Sequence, residues 1–172
     1  DSSGNTAMGA DTLSSLTTGN YNTASGYGSL YSNTTGNSNT ASGYEALYTN
    51  TTGASNTASG YKALYTNTLG GSNTASGYTA LYLNTTGSYN TASGRQALFN
   101  NTTGGTNTAI GTKALYSNST GSGNVAIGYE AGWSETGSNK LYIANGSGSS
   151  NQLLYGDFST GDLSLGQTSG TV

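Results

Sequence analysis

Cysteine, proline and histidine are all missing from this 172-residue chain. Without cysteine there is no disulfide, thiol nucleophile or thiolate cluster. Without histidine the commonest general base and metal ligand is gone. Charge is scarce as well. Four Lys and Arg stand against seven Asp and Glu, 6% of the residues, for a net charge of −3; ordinary domains carry about 25% charged residues. So few basic side chains cannot neutralise a run of phosphates, which excludes nucleic acid as a partner. No apolar run approaches the roughly 20 residues of a membrane span. Asp1 opens no signal-peptide pattern, as expected of an intracellular chain or of a mature or trimmed piece.

What is abundant is Gly (28) and Tyr (14), set among Ser, Thr and Asn. Such composition often marks disorder, but here it is organised by a repeat. A block beginning with Asn recurs at Asn5, Asn22, Asn39, Asn56, Asn73, Asn90, Asn107 and Asn124, every 17 residues without insertion. Stacked coils need such a register and disordered tracts do not. Numbered from that Asn, the unit reads NTASGYxALYxNTTGxx. Position 3 is always Ala, position 5 always Gly, and position 9 is Leu in Leu13, Leu30, Leu47, Leu64, Leu81, Leu98 and Leu115. Position 10 is aromatic in Tyr31, Tyr48, Tyr65, Tyr82, Phe99, Tyr116 and Trp133. Position 12 is Asn from Asn33 to Asn118, and position 15 is Gly from Gly19 to Gly121.

Seventeen residues are too few for a helix pair, and Thr, Asn and Gly are poor helix formers. They suit two short strands and two turns. Gly at 5 and 15 supplies the turns, by positive φ or close backbone approach. Asn at 1 and 12 tolerates left-handed turns, and its side chains can stack as a ladder. The chain is therefore expected to be all-β. Residues 1–139 form a parallel β-solenoid of eight 17-residue coils, roughly 40 Å tall at about 4.8 Å per coil. Leu30, Leu47, Leu64, Leu81, Leu98 and Leu115, Tyr48, Tyr65 and Tyr82, and Asn39, Asn56 and Asn73 are the expected structural ladder.

Position 7 holds Asp11, Glu45, Lys62, Lys113 and Glu130, so it is expected to face water. Glu45 falls one rung from Lys62, and Lys113 one rung from Glu130, as favourable cross-strand pairs do. The end units depart from the pattern: Met8, Ile110 and Ile127 replace Ser at position 4, Val125 stands at position 2, and Gly132 replaces Leu. Terminal repeats commonly cap a stack or join another element, and an open end invites end-to-end self-association. Residues 140–172 read as a short antiparallel β-meander, with strands at Lys140–Ala144, Gln152–Phe158 and Leu163–Leu165 and a Gly/Ser turn at Asn145–Ser150. The thin core of each coil and the marginal meander both favour association between chains.

The acids are scattered, and Asp157 and Asp162 simply flank a turn. No phosphate loop, dinucleotide fingerprint or serine-nucleophile motif occurs. The turns also lack the Asp residues of calcium-binding solenoid repeats. No catalytic residue, cofactor or metal is expected, and the chain is not expected to be an enzyme. Asn33, Asn50, Asn84, Asn101 and Asn118 each open an N-x-S/T sequon, either a glycosylation site or a structural Asn/Thr ladder. Thr rows at positions 13, 14 and 2 also suggest a flat hydroxyl array, which would make an ice-binding solenoid.

NVAIG at Asn124–Gly128 and NTAIG at Asn107–Gly111 resemble the NSVAIG-type repeats of trimeric autotransporter adhesin heads. The longer unit resembles repeats of bacteriophage tail fibres and related bacterial surface proteins. The segment 141–166, LYIANGSGSSNQLLYGDFSTGDLSLG, resembles the stretch that follows such repeats. The resemblance implies a homotrimeric left-handed β-roll, extracellular on a cell surface or virion, acting as a structural or adhesive fibre segment. It implies a host-cell surface or glycan receptor as partner. The rows at positions 7, 16 and 17 are the expected contact surface, with Tyr21, Tyr89, Glu45, Lys62, Lys113 and Glu130 as candidate binding residues. Assembly of such units end to end into an extracellular filament is the other structural reading.

Overall fold

The computed structural model describes residues 3–147 and 151–166. Among them every regular element is a strand, and all eleven strands belong to one sheet in chain order. Each repeat contributes one three-residue strand at positions 2 to 4: β1 (Thr6–Met8), β2 (Thr23–Ser25), β3 (Thr40–Ser42), β4 (Thr57–Ser59), β5 (Thr74–Ser76), β6 (Thr91–Ser93), β7 (Thr108–Ile110) and β8 (Val125–Ile127). They pair in parallel with repeat positions in register, Ala41 opposite Ala58 and Ala58 opposite Ala75. The chain is a β-solenoid. It has one strand per coil rather than the expected two, because positions 6 to 11 are wound into tight turns.

Those turns are held by residues that sequence reading would not choose. Position 9 is left-handed in every coil, with φ of 49–52° at the seven leucines. Position 7 is left-handed at Glu45, Lys62, Thr79 and Gln96, and position 17 at Tyr21, Ser38, Ser55 and Tyr89. A non-glycine residue there costs about 1–2 kcal/mol. The return is a backbone ladder that continues outside the strands. The Glu45 N–H donates to the Tyr27 carbonyl of the coil before (2.8 Å), and the Leu47 N–H to the Ala63 carbonyl of the coil after (3.0 Å). Alternating handedness at positions 7 to 9 thus bonds each turn to both neighbours. Asn at 1 and 12 does not take the left-handed role. Gly at 5 does, with φ of 116–139°. Gly at 15 is needed for space instead: a Cβ on Gly53 would lie 2.4 Å from Asn50 Oδ1 and 2.5 Å from the Gly70 carbonyl oxygen.

The interior is half apolar and half amide. Ala at 3 and 8 and Leu at 9 are fully buried through the middle coils, and so are thirteen asparagines at positions 1 and 12. Asn39 shows how the position-1 column is satisfied. Its Nδ2 donates to Asn22 Oδ1 (3.2 Å) and to the Gly53 carbonyl (2.8 Å), while its Oδ1 accepts from the Asn56 backbone N–H (2.9 Å) and Asn56 Nδ2 (3.1 Å). The position-12 column runs alongside, Asn50 to Asn33, Asn67 to Asn50 and Asn84 to Asn67, at 2.7–2.8 Å. Asn50 Nδ2 also reaches the Gly53 carbonyl (2.9 Å), so two side chains close one coil on one oxygen. Buried amides are tolerable because every group finds a partner.

The eighth coil is one residue short. β9 (Lys140–Ala144) pairs in parallel with β8, Val125 opposite Leu141, sixteen residues on. β10 (Gln152–Asp157) and β11 (Asp162–Leu165) then add antiparallel. The meander expected from residue 140 is present, but its first strand is also the ninth rung, so the 139/140 boundary lies within one continuous sheet. Its second strand stops at Asp157, before Phe158. Of the expected turn at Asn145–Ser150, residues 148–150 lie outside the described residues, as do 167–172. Tyr142 aligns with Ala126 and is buried. This explains Gly132: a Cβ there would lie 2.9 Å from the Tyr142 ring. The Tyr142 hydroxyl bonds Glu135, which stands where the second to seventh coils have Asn. Burial and that carboxylate push its ionisation well above the usual tyrosine range.

Candidate binding surfaces

Two aromatic ladders run along the outside of the stack. At position 6, Tyr27, Tyr44, Tyr61 and Tyr78 stack with centroids 5.1–5.3 Å apart. At position 10 the ladder runs from Tyr31 through Tyr48, Tyr65, Tyr82 and Phe99 to Tyr116, at 4.9–5.4 Å. Trp133 closes it edge-on. The rings lie outside because the Ala–Leu interior has no room for them, and stacking recovers part of what burial would have given.

Position 7 lies between these ladders: Asp11 in the first coil is exposed as expected, but from Glu45 to Glu130 the row is half-buried or buried, which corrects the expectation that it faces water. Aromatic walls on both sides leave the Glu45 side chain only 14% exposed and Glu130 only 11%. The expected pairing is present: Lys62 Nζ lies 3.2 Å from Glu45, and Lys113 Nζ 3.9 Å from Glu130. The ammonium groups also sit over rings, Lys62 at 4.9 Å from the Tyr65 centroid and Lys113 at 4.7 Å from Trp133. Hydrogen bonding to Glu45 raises the ionisation of both Lys62 and Tyr44. Between the two ion pairs the row holds Thr79 and Gln96. There the groove opens into a cleft of about 340 Å³ lined by Tyr61, Lys62, Tyr78, Thr79, Tyr82, Gln96 and Phe99.

Tyr21 and Tyr89 are well exposed, at 72% and 68%. They occupy position 17, at the other end of the strand from position 7, and sit in the first and fifth units, about 19 Å apart along the stack. The structure therefore does not gather them with the charged row into one site. The sequon residues Asn33, Asn50, Asn84, Asn101 and Asn118 are fully buried, their Nδ2 groups donating within the ladder. The folded stack presents none of these nitrogens to solvent. The position-13 hydroxyls are also engaged, Thr34 donating to the Thr51 carbonyl (3.0 Å) and Thr51 to Thr68 (3.1 Å). Of the three expected rows that leaves positions 14 and 2, and position 14 is interrupted by Leu69.

Sequence reading did not single out the outer face of the sheet. Positions 2 and 4 flank the inward Ala and point outward. From β2 to β6 they are two columns of Thr and Ser. From β7 they turn apolar: Ile110 and Ile127 are 43% and 40% exposed, and Val125, Leu141 and Ile143 continue the columns. Pairing carries the apolar rows on, Ile143 to Leu154 to Leu165 and Leu141 to Gly156 to Leu163. Gly156 leaves a dimple of about 300 Å³ between Leu141 and Leu163. The Ser-to-Ile change at position 4 was the available signal. Its meaning depends on knowing which way that position points.

The Lys140 ammonium bonds Asp157 across β9 and β10, and the Ser159 N–H donates to the same carboxylate (2.9 Å). These contacts hold the Asp157 carboxyl down to about 2. Among the described residues no three acidic side chains gather as metal ligands would, and no helix is long and apolar enough to cross a membrane. Comparison with protein-family models, curated proteins and solved structures returns no match.

Proposed function

We propose that this chain is a non-catalytic, rigid segment of an extracellular fibre, of the adhesin or tail-fibre kind, whose exterior presents a contact surface. The observation that carries this reading is the unbroken ladder. Backbone bonds, two asparagine columns and the position-10 aromatic row repeat rung after rung, with a second aromatic row beside them from Tyr27 to Tyr78, so bending the stack strains many contacts at once. A rod is the natural use of such a body. Association as a homotrimer through the apolar outer face of β7 to β11 fits the reading, because that face otherwise leaves Ile and Leu side chains in water. Light scattering with small-angle X-ray scattering tests it. A mass of three chains and an elongated profile are expected; a monomeric, compact particle would overturn it. The Thr and Ser columns of β2 to β6 favour a second reading, an ice-binding face, which requires thermal hysteresis in the purified protein and fails without it.

A further inference from the structure

We infer that Tyr27 and Tyr44 are a site of oxidative modification, where a one-electron oxidant joins the two rings as dityrosine and ties the second coil to the third. The chain has no cysteine, so no disulfide can staple its coils. Three observations choose this pair among the tyrosines. First, both rings are within reach of a small oxidant. They are 48% and 44% exposed, whereas Tyr31 and Tyr48, which stack closer at 4.9 Å, are half-buried. Second, the two rings are held together. The Glu45 N–H donates to the Tyr27 carbonyl and fixes the register of the two coils. The ring centroids lie 5.3 Å apart with planes at 17°, the widest tilt of the stacked pairs in either ladder. Planes that are not parallel bring one pair of ring edges closer than the other.

Third, charge divides the position-6 row. The charge of Asp11, and a hydrogen bond to it, raise the ionisation of the Tyr27 phenol. A hydrogen bond to Glu45 does the same at Tyr44. Further along the row cations stand at the rings instead, Lys62 at 5.5 Å from the Tyr61 centroid and Arg95 at 5.8 Å from that of Tyr78. An electron leaves a ring more easily beside a negative charge than beside a positive one. A carboxylate on the phenol also takes the proton that departs with it. In the step, each phenol gives one electron to the oxidant and its hydroxyl proton to the carboxylate, leaving two phenoxyl radicals. A carbon ortho to one oxygen bonds its counterpart on the other ring. The hydrogens of those two carbons move to the two oxygens and restore the phenols. The pair has then lost two electrons and two protons, which a haem peroxidase passes to hydrogen peroxide, giving two waters. The new bond closes a loop of 17 residues and so restricts the unfolded chain, as other cross-links do.

The test is to treat the dilute full chain with a haem peroxidase and hydrogen peroxide, then recover single chains by denaturing electrophoresis. These are expected to show dityrosine fluorescence and an intact mass lower by two hydrogens. Cleavage after Lys, Arg and Glu should place the bridge inside the fragment 1–45. The oxidised chain should unfold at a higher denaturant concentration than the untreated one. Tyr44→Phe keeps a stacked ring, as Phe99 does in the other ladder, and Tyr27→Phe is the matching change on the other coil. Each should abolish the bridge in 1–45. Asp11→Asn and Glu45→Gln keep both phenols and should slow its formation. Tyr61→Phe and a change at the exposed Tyr89, Tyr89→Phe, should leave it unaltered. Absence of dityrosine, dityrosine only between chains, a bridge outside 1–45, or a bridge within 1–45 that survives in Tyr44→Phe would overturn the inference. None of these results would alter the mass or rod shape on which the fibre reading depends.

Discussion

The middle coils and the C-terminal strands share one sheet but show opposite faces to solvent. In β2 to β6 the outward residues are Thr and Ser; in β7 to β11 they are Ile, Val and Leu, interrupted by Thr108, Gly156 and a few polar residues. The inward residues are far less free. Ala at position 3 persists through both sets of coils until Tyr142 closes the column. Fold and function are therefore written on different positions of the same repeat. The inward columns and Gly fix the coil, while the outward positions can change from hydroxyl to hydrocarbon without disturbing a ladder bond.

The largest effect should come from breaking an inward column. Asn56→Ala removes the donor to Asn39 and the acceptor for the Asn73 backbone N–H, both buried. It is expected to cost about 3 kcal/mol in denaturant unfolding. The same change at exposed Asn145, beyond the coils, should cost less than about 0.5 kcal/mol. Leu64→Ala, at a fully buried site, should cost about 2–5 kcal/mol. Next is the outer face. Ile110→Ser with Ile127→Ser makes the late coils resemble the middle ones. Light scattering should then show the associated species falling to a single chain, while the unfolding midpoint of isolated chains changes little.

Acid should separate the two regions more gently. Asp157 is held at about 2 against an ordinary 3.8. A depressed carboxyl stabilises fully above its unfolded value and loses that contribution as pH falls from about 4 towards 2. NMR signals of β10 and β11 should therefore shift or broaden across that window before those of β5 and β6, whose coils hold no carboxyl group. The smallest effect is expected at Lys62→Met, which breaks a partly exposed pair with Glu45 and should cost at most about 1 kcal/mol.

Much of this architecture was legible in the sequence. Identical side chains recurring every 17 residues must lie above one another, and Leu, Ala and Asn recur most strictly because they are inside. The charge pairs at position 7 could be read from spacing alone. The single strand per coil could not. Its turns are left-handed at Leu, Lys and Glu, residues that seldom adopt that conformation. The clue lay in isolated substitutions: Gly28 at position 7, Gly132 at position 9 and Gly123 at position 17 mark the three left-handed sites. The cleft at Thr79 was also hidden. Its walls come from positions 6 and 10, which appear in sequence merely as two Tyr rows, and nothing in the spacing says that position 7 lies between them. The burial of the sequon asparagines was equally out of reach, since an N-T-T turn reads the same inside or outside a ladder.

Side-chain amide hydrogen exchange tests the central claim most directly, that asparagine columns run unbroken through the core. Nitrogen-15 NMR should find the Nδ2 protons of Asn39, Asn56, Asn73 and Asn90 strongly protected, exchanging only when the coils open. Exchange of these four at the rate of an exposed Asn such as Asn145 would contradict it.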